Sequence, residues 1–93
     1  MIYSKKSLGQ NFLKDKNIIK KILDLVEIKN KNVIEIGPGT GALTEEIIKR
    51  KPKTISLIEK DNSLAKDLKE RFSANKILKI YNEDILKFNI EII

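Results

Sequence analysis

Residues 32–41 read NVIEIGPGTG, and the fold turns on this stretch. Val33, Ile34 and Ile36 are apolar and β-branched, Gly37, Gly39 and Gly41 follow at alternate positions, and a helix-like run begins at once. That order predicts a buried parallel strand feeding a tight turn that opens a helix, which is how an α/β domain builds a ligand site at its strand ends. Glu35 interrupts the apolar run near the end of the strand, where polar groups facing a crevice are expected.

Without Cβ atoms the three glycines leave the backbone free to bend and let a ligand lie directly against it. Pro38 fixes its own φ and gives up one donor. Free N–H groups at the start of the next helix would face a polar or anionic ligand group. No Lys follows in a GKS or GKT pattern, which argues against a P-loop. The spacing is G-x-G-x-G, without the third glycine of the G-x-G-x-x-G dinucleotide fingerprint, so a nicotinamide or flavin site is disfavoured.

Ninety-three residues suffice for one small domain. An open α/β nucleotide-binding domain is normally built from two halves and this chain has room for one, so a fragment of a longer domain is expected. The chain holds 19 Lys and Arg against 13 Asp and Glu, a formal charge of +6. Residues 1–21 contribute six lysines and one acid, and a basic arm of this kind favours a nucleic-acid partner through phosphate attraction, although lysines also simply solubilise a terminus. With no Cys and no His, thiolate nucleophiles, imidazole bases, disulfides and Cys/His zinc sites are excluded within these residues, and no metal is expected. No apolar run approaches membrane-spanning length and residues 1–21 lack a signal-peptide core, so no membrane partner and a cytoplasmic location are expected.

In chain order, residues 1–7 read as a basic arm and residues 8–13, LGQNFL, as an ordered loop. Asp15 is placed to cap a helix over 16–27 whose buried side carries Ile18, Ile19, Ile22, Leu25 and Val26. After the glycine turn, Leu43, Ile47 and Ile48 form a buried stripe, with Glu45 and Glu46 toward solvent, and the helix ends before Pro52. Residues 54–58 predict a second strand, Asp61 or Asn62 the cap of a helix carrying Leu64, Ala65, Leu68 and Phe72, and residues 77–81 a third strand. Right-handed crossovers give three parallel strands in order 3-2-1, with the first strand an exposed edge open to self-association.

Glu59 ends the second strand, twenty-two residues after Gly37, where a carboxylate accepts hydrogen bonds from the two hydroxyls of a ribose. Asp84 follows the third strand and is placed to accept from the exocyclic amine of an adenine. In the competing reading Glu59 pairs with a surface lysine such as Lys60, and Asp84 starts a turn through Ile85. Together Gly37, Gly39, Gly41, Glu59 and Asp84 describe a pocket for an adenosine-containing cofactor, and by themselves they do not separate S-adenosylmethionine from NAD or FAD.

LGQNFL at 8–13, EIGPGTGALT at 35–44, IEKD at 58–61 and NED at 82–84 closely resemble the ribosomal-RNA small-subunit adenine N6-dimethyltransferases, a family of class I S-adenosylmethionine-dependent methyltransferases. The resemblance covers essentially the whole chain; EIGPGTG is shared by many methyltransferases, whereas LGQNFL at this distance before it is specific. It implies the first half of a doubly wound, Rossmann-like α/β sheet, with residues 1–15 a basic arm and cofactor-covering loop and residues 16–93 the truncated N-terminal half of the S-adenosyl-L-methionine-binding domain. It further implies that Asn11 and the Leu13 backbone contact the methionine or ribose side of the cofactor, that Gly37 lies near its amino-acid group, and that Glu59 and Asp84 hold ribose and adenine. Only the family supplies the case for Asn11 and Leu13.

Relatives of this kind dimethylate two adjacent adenines of small-subunit ribosomal RNA, so that RNA or a pre-ribosomal particle is the implied partner. They hold the target amine with an Asn-Leu-Pro-Tyr or similar motif after a fourth strand, and these 93 residues contain none. No catalytic residue is therefore assigned, and the chain alone is expected to be inactive. The alternatives are a nonenzymatic RNA-binding or ribosome-assembly module working through Lys5, Lys6, Lys14, Lys16, Lys20 and Lys21, and a macrolide-resistance-type large-subunit RNA adenine methyltransferase, which shares QNF.

Overall fold

The computed structural model describes residues 15–93, so the basic arm, the LGQNFL loop and with them Asn11 and Leu13 lie outside the described residues. The described elements are α1 (Lys16–Leu23), β1 (Asn32–Ile36), α2 (Ala42–Lys49), β2 (Thr54–Ile58), α3 (Asn62–Arg71), β3 (Leu78–Tyr81) and a 3-10 turn at Ile90–Ile92. All three strands are parallel and β2 is central, the expected 3-2-1 order read from the β3 edge.

Register sets what reaches the site. Asn32 to Ile36 of β1 pair residue for residue with Thr54 to Ile58, and Ile55 to Ile58 pair with Leu78 to Tyr81, so the three strands end level. The central strand is covered on both faces, with Ile55 and Leu57 fully buried. They join Ile19, Leu23, Ile28, Leu43 and Ile47 in one core, each such side chain contributing roughly 1.5–3 kcal/mol when taken from water. Along the other edge of β1, among the described residues, no strand pairs, and Ile22, Val26, Val33 and Ile34 line an open groove beside it.

Asp15 caps α1 as expected, its carboxylate accepting from the N–H groups of Asn17 and Ile18 at 2.9 and 3.3 Å. The helix is shorter than its hydrophobic pattern predicts. Tight bonds from Leu25 N to Ile22 O and from Val26 N to Leu23 O close it, leaving Leu25 83% and Val26 57% exposed while Ile28 enters the core in their place. Asn30, in the left-handed conformation at φ 62°, then turns the chain into β1, with Lys31 N donating to Ile28 O at 2.9 Å.

In α2, Glu46 is buried, contrary to its expected solvent position, with Lys49 Nζ 3.1 Å from its carboxylate. The hydrogen bond from Lys49 holds that carboxyl below its ordinary pKa. Asp61 is the cap of α3, accepting from Leu64 N at 2.9 Å. Ile77, expected in β3, stands just outside it, partly exposed, although its carbonyl still accepts from Ile55 N at 2.9 Å. Among the described residues no helix is long and apolar enough to cross a membrane.

Candidate functional site

The three strands point their C-terminal ends at one rim, and of the predicted site residues Gly37, Glu59 and Asp84 stand there. Gly37 N donates to Ile58 O at 2.9 Å, extending the β1–β2 ladder by one bond before the chain bends. Gly37, Gly39 and Gly41 all take positive φ, of +67°, +59° and +87°. Pro38 between them is buried.

Their surroundings divide the glycines into two kinds. A Cβ built on Gly37 meets nothing within 4 Å, and one on Gly39 meets only the Gly37 carbonyl at 4.0 Å, so both border open space in which a ligand can lie against the backbone. Gly41 differs from the expectation. A Cβ there meets Arg71 Nη1 and Leu68 Cδ2 at 3.1 Å and Phe72 Cε2 at 3.3 Å, so this glycine lets the start of α2 approach α3. Gly41→Ala is therefore expected to destabilise the fold by about 1–3 kcal/mol through crowding and positive-φ strain, measured by denaturant unfolding, with the glycine turn otherwise in place.

Glu59 is almost completely buried and lies on the same side of the sheet as the turn. Its Oε1 accepts from Gly39 N at 3.0 Å and its Oε2 from Asp61 N at 2.9 Å. A carboxylate offers about four lone-pair positions, so one on each oxygen is left to accept from a pair of hydroxyls. Lys60 does not take Glu59 as its partner; its Nζ lies 3.9 Å from Asp84 Oδ2.

Asp84 also shapes its own turn, Oδ1 accepting from Leu86 N at 3.0 Å, so part of the competing reading holds for it. The β3 loop is stitched to the β2 loop by Asn82, whose Nδ2 donates to the carbonyls of Glu59 and Lys60 at 3.0 and 3.2 Å. Glu59 N donates to Tyr81 O at 2.9 Å, completing the join. The rim thus brings Gly39 into direct contact with Glu59, with Gly37 bonded to Ile58 beside it and Asp84 one loop away.

Three contributions go beyond the reading of the sequence, which placed Glu35 only as a polar group facing the crevice. Glu35 faces inward and is buried, where Thr44 Oγ1 donates to its Oε1 at 2.6 Å. Burial pushes the Glu35 carboxyl up to about 7, the Thr44 hydrogen bond opposing this and the nearby Glu59 charge adding to it. Arg71 donates to Thr40 O, pairs with Glu45 and lies 5.1 Å over the Phe72 ring, tying α3 to the turn. Asn82 is the third; a short amide directly after a strand is the one signal for it. Among the described residues no group of three or more His, Cys, Asp or Glu side chains is arranged to hold a metal ion.

A sequence profile described as ribosomal RNA adenine dimethylase matches residues 1–92. The chain belongs to the ribosomal RNA adenine dimethylase family. Among curated relatives of this chain, the ribosomal RNA small subunit methyltransferase A of Pelagibacter ubique is 52% identical over 86 residues, covering 92% of this chain and 32% of its own length. Among solved structures, the 23S rRNA methyltransferase ErmE superposes with a TM-score of 0.74 at 34% identity, over 85% of this chain and 32% of its own. A dimethyladenosine transferase from Plasmodium falciparum does so at 0.72 and 29% identity, over 82% and 28%. The chain therefore spans about a third of the length of the curated relative it matches. Its three parallel strands and flanking helices are those of the Rossmann-like class I methyltransferases.

Proposed function

We propose that this chain is the cofactor-holding part of an S-adenosylmethionine-dependent methyltransferase that dimethylates N6 of adjacent adenines in small-subunit ribosomal RNA. The observation that carries the reading is the pairing of the open backbone at Gly37 and Gly39 with a buried Glu59 whose carboxylate keeps two acceptor positions. The fit is to a nucleoside. Glu59 accepts the ribose hydroxyls, Asp84 the adenine amine, and Gly37 lies against the amino-acid end; Asn11 and the Leu13 backbone are assigned to cover the cofactor through the family resemblance.

When bound, the cofactor supplies an electrophilic methyl group on sulfur. The protein's part is orientation, because the adenine N6 lone pair is delocalised into the ring and reacts only when held in line with that methyl. Glu59 and the glycine turn fix one partner of the reaction. Residues 1–93 contain no Asn-Leu-Pro-Tyr segment to hold the other, so we infer that they bind cofactor without transferring methyl.

A large-subunit target is the second reading, supported by the likeness to ErmE, a 23S rRNA methyltransferase; the 52% identity to a small-subunit enzyme favours the first. A nonenzymatic RNA-binding module ranks third. Calorimetry should register S-adenosylmethionine and its demethylated product and not NAD, and the natural full-length protein should methylate small-subunit RNA in preference to large-subunit RNA. Preference for NAD overturns the cofactor, preference for large-subunit RNA the substrate, and methyl transfer by residues 1–93 alone the division of labour.

A further inference from the structure

The two ends of the sheet carry opposite charge. At the C-terminal rim the residues directly after β2 and β3, 59–61 and 82–84, hold Glu59, Asp61, Glu83 and Asp84 against one lysine, Lys60. At the other end, the segments entering the three strands, residues 29–32, 50–53 and 75–77, hold Lys29, Lys31, Arg50, Lys51, Lys53 and Lys76 and no acid.

Arg50 is occupied, its Nη1 lying 2.6 Å from Asp24 Oδ1. The five lysines are exposed, and among the described residues none has a carboxylate within ion-pair distance. They are also held together. Asn30 N donates to Lys51 O at 3.0 Å, Lys53 N to Lys31 O at 2.8 Å and Ile55 N to Ile77 O at 2.9 Å, while Asn30 and Lys51 sit in fixed left-handed turns at φ 62° and 59°. Neighbouring parallel strands lie roughly 5 Å apart, so the entering segments present adjacent ammonium groups on flexible stems along one ledge.

We propose that this ledge is a second RNA-contact surface, holding a phosphate backbone tract at the end of the sheet opposite the cofactor rim. The proposal rests on an RNA substrate, as argued above. A strand of five residues separates the two ends by roughly 15 Å, so the ledge grips RNA remote from the reacting adenine. Lysines on phosphates position without reading sequence, and the contribution is therefore uniform across RNA sequences and strongly dependent on salt.

The test compares two variants of the natural full-length protein with equal loss of charge, Lys29→Gln/Lys31→Gln/Lys53→Gln at the ledge and Lys66→Gln/Lys69→Gln/Lys87→Gln elsewhere. With small-subunit ribosomal RNA near physiological salt, the ledge variant should bind tenfold or more weakly and lose roughly two of the slope of log K against log salt, and the control should change less than threefold. Cofactor affinity should be unaltered in both. Equal losses in the two variants, or none at the ledge, overturn the proposal. In the unsubstituted protein, bound RNA should shield Lys29, Lys31, Lys51 and Lys53 from acetylation, and undiminished reactivity there overturns it independently. Unsubstituted protein that binds cofactor and no RNA removes the RNA reading together with the ledge; RNA binding with an unaffected ledge variant removes the ledge alone.

Discussion

Replacing Glu59 with alanine should weaken S-adenosylmethionine binding about a hundredfold or more. Two ribose hydroxyls donating to a buried carboxylate are charge-assisted hydrogen bonds worth about 1.5–3 kcal/mol each. Losing them costs at least a factor of ten apiece. The same substitution releases Gly39 N and Asp61 N, which donate to Glu59 at 3.0 and 2.9 Å, so the glycine turn loses its anchor as well. Glu59→Gln keeps the shape but replaces one acceptor by an amide donor, which must face either a backbone N–H or a ribose hydroxyl. It should fall between alanine and the unsubstituted protein. An affinity within threefold of the original for Glu59→Ala, with the fold intact by circular dichroism, removes the carboxylate from the site.

The second large effect is on stability against pH. The Glu35 carboxyl is raised from 4.5 in the unfolded chain to about 7 by burial beneath the glycine turn. In that interval the folded state holds a proton that the unfolded state has released, so stability falls as pH rises. The contribution is fully present below 4.5 and lost by the time pH has passed through 7. It amounts to something on the order of 3 kcal/mol. Glu35→Gln, uncharged throughout and able to keep an acceptor for Thr44 Oγ1, should abolish this dependence and be the more stable protein at pH 8. Denaturant unfolding at pH 5 and pH 8 reads both; an unchanged pH dependence in Glu35→Gln contradicts the assignment.

The elements that the sequence made legible are those whose pattern is local. Residues 54–58 carry β-branched and apolar side chains in a central strand with both faces covered, and Thr54–Ile58 is the strand observed. The Asp15 and Asp61 caps likewise need only a carboxylate one residue before a helix. The end of α1 depended on distant structure. Leu25 and Val26 continue the apolar stripe, but the chain must stop the helix to bring Ile28 into the core and enter β1 beside Lys51.

At the site, the turn and Glu59 could be read because position after a strand fixes geometry. The burial of Glu35 and Glu46 could not. Glu35 depends on Thr44, brought over it from α2, and Glu46 lies toward Lys16 and Lys20 of α1, its Lys49 partner being local to the same helix. The roles of the three glycines divided for the same reason, since only the approach of Leu68, Arg71 and Phe72 makes Gly41 a packing residue.

The most direct measurement is the structure of the protein with S-adenosylhomocysteine bound. Both ribose hydroxyls should lie within hydrogen-bond distance of Glu59, the amino-acid end against Gly37 and Gly39, and the adenine amine toward Asp84. A nucleoside bound away from that rim, or a ribose whose hydroxyls turn from Glu59, contradicts the account.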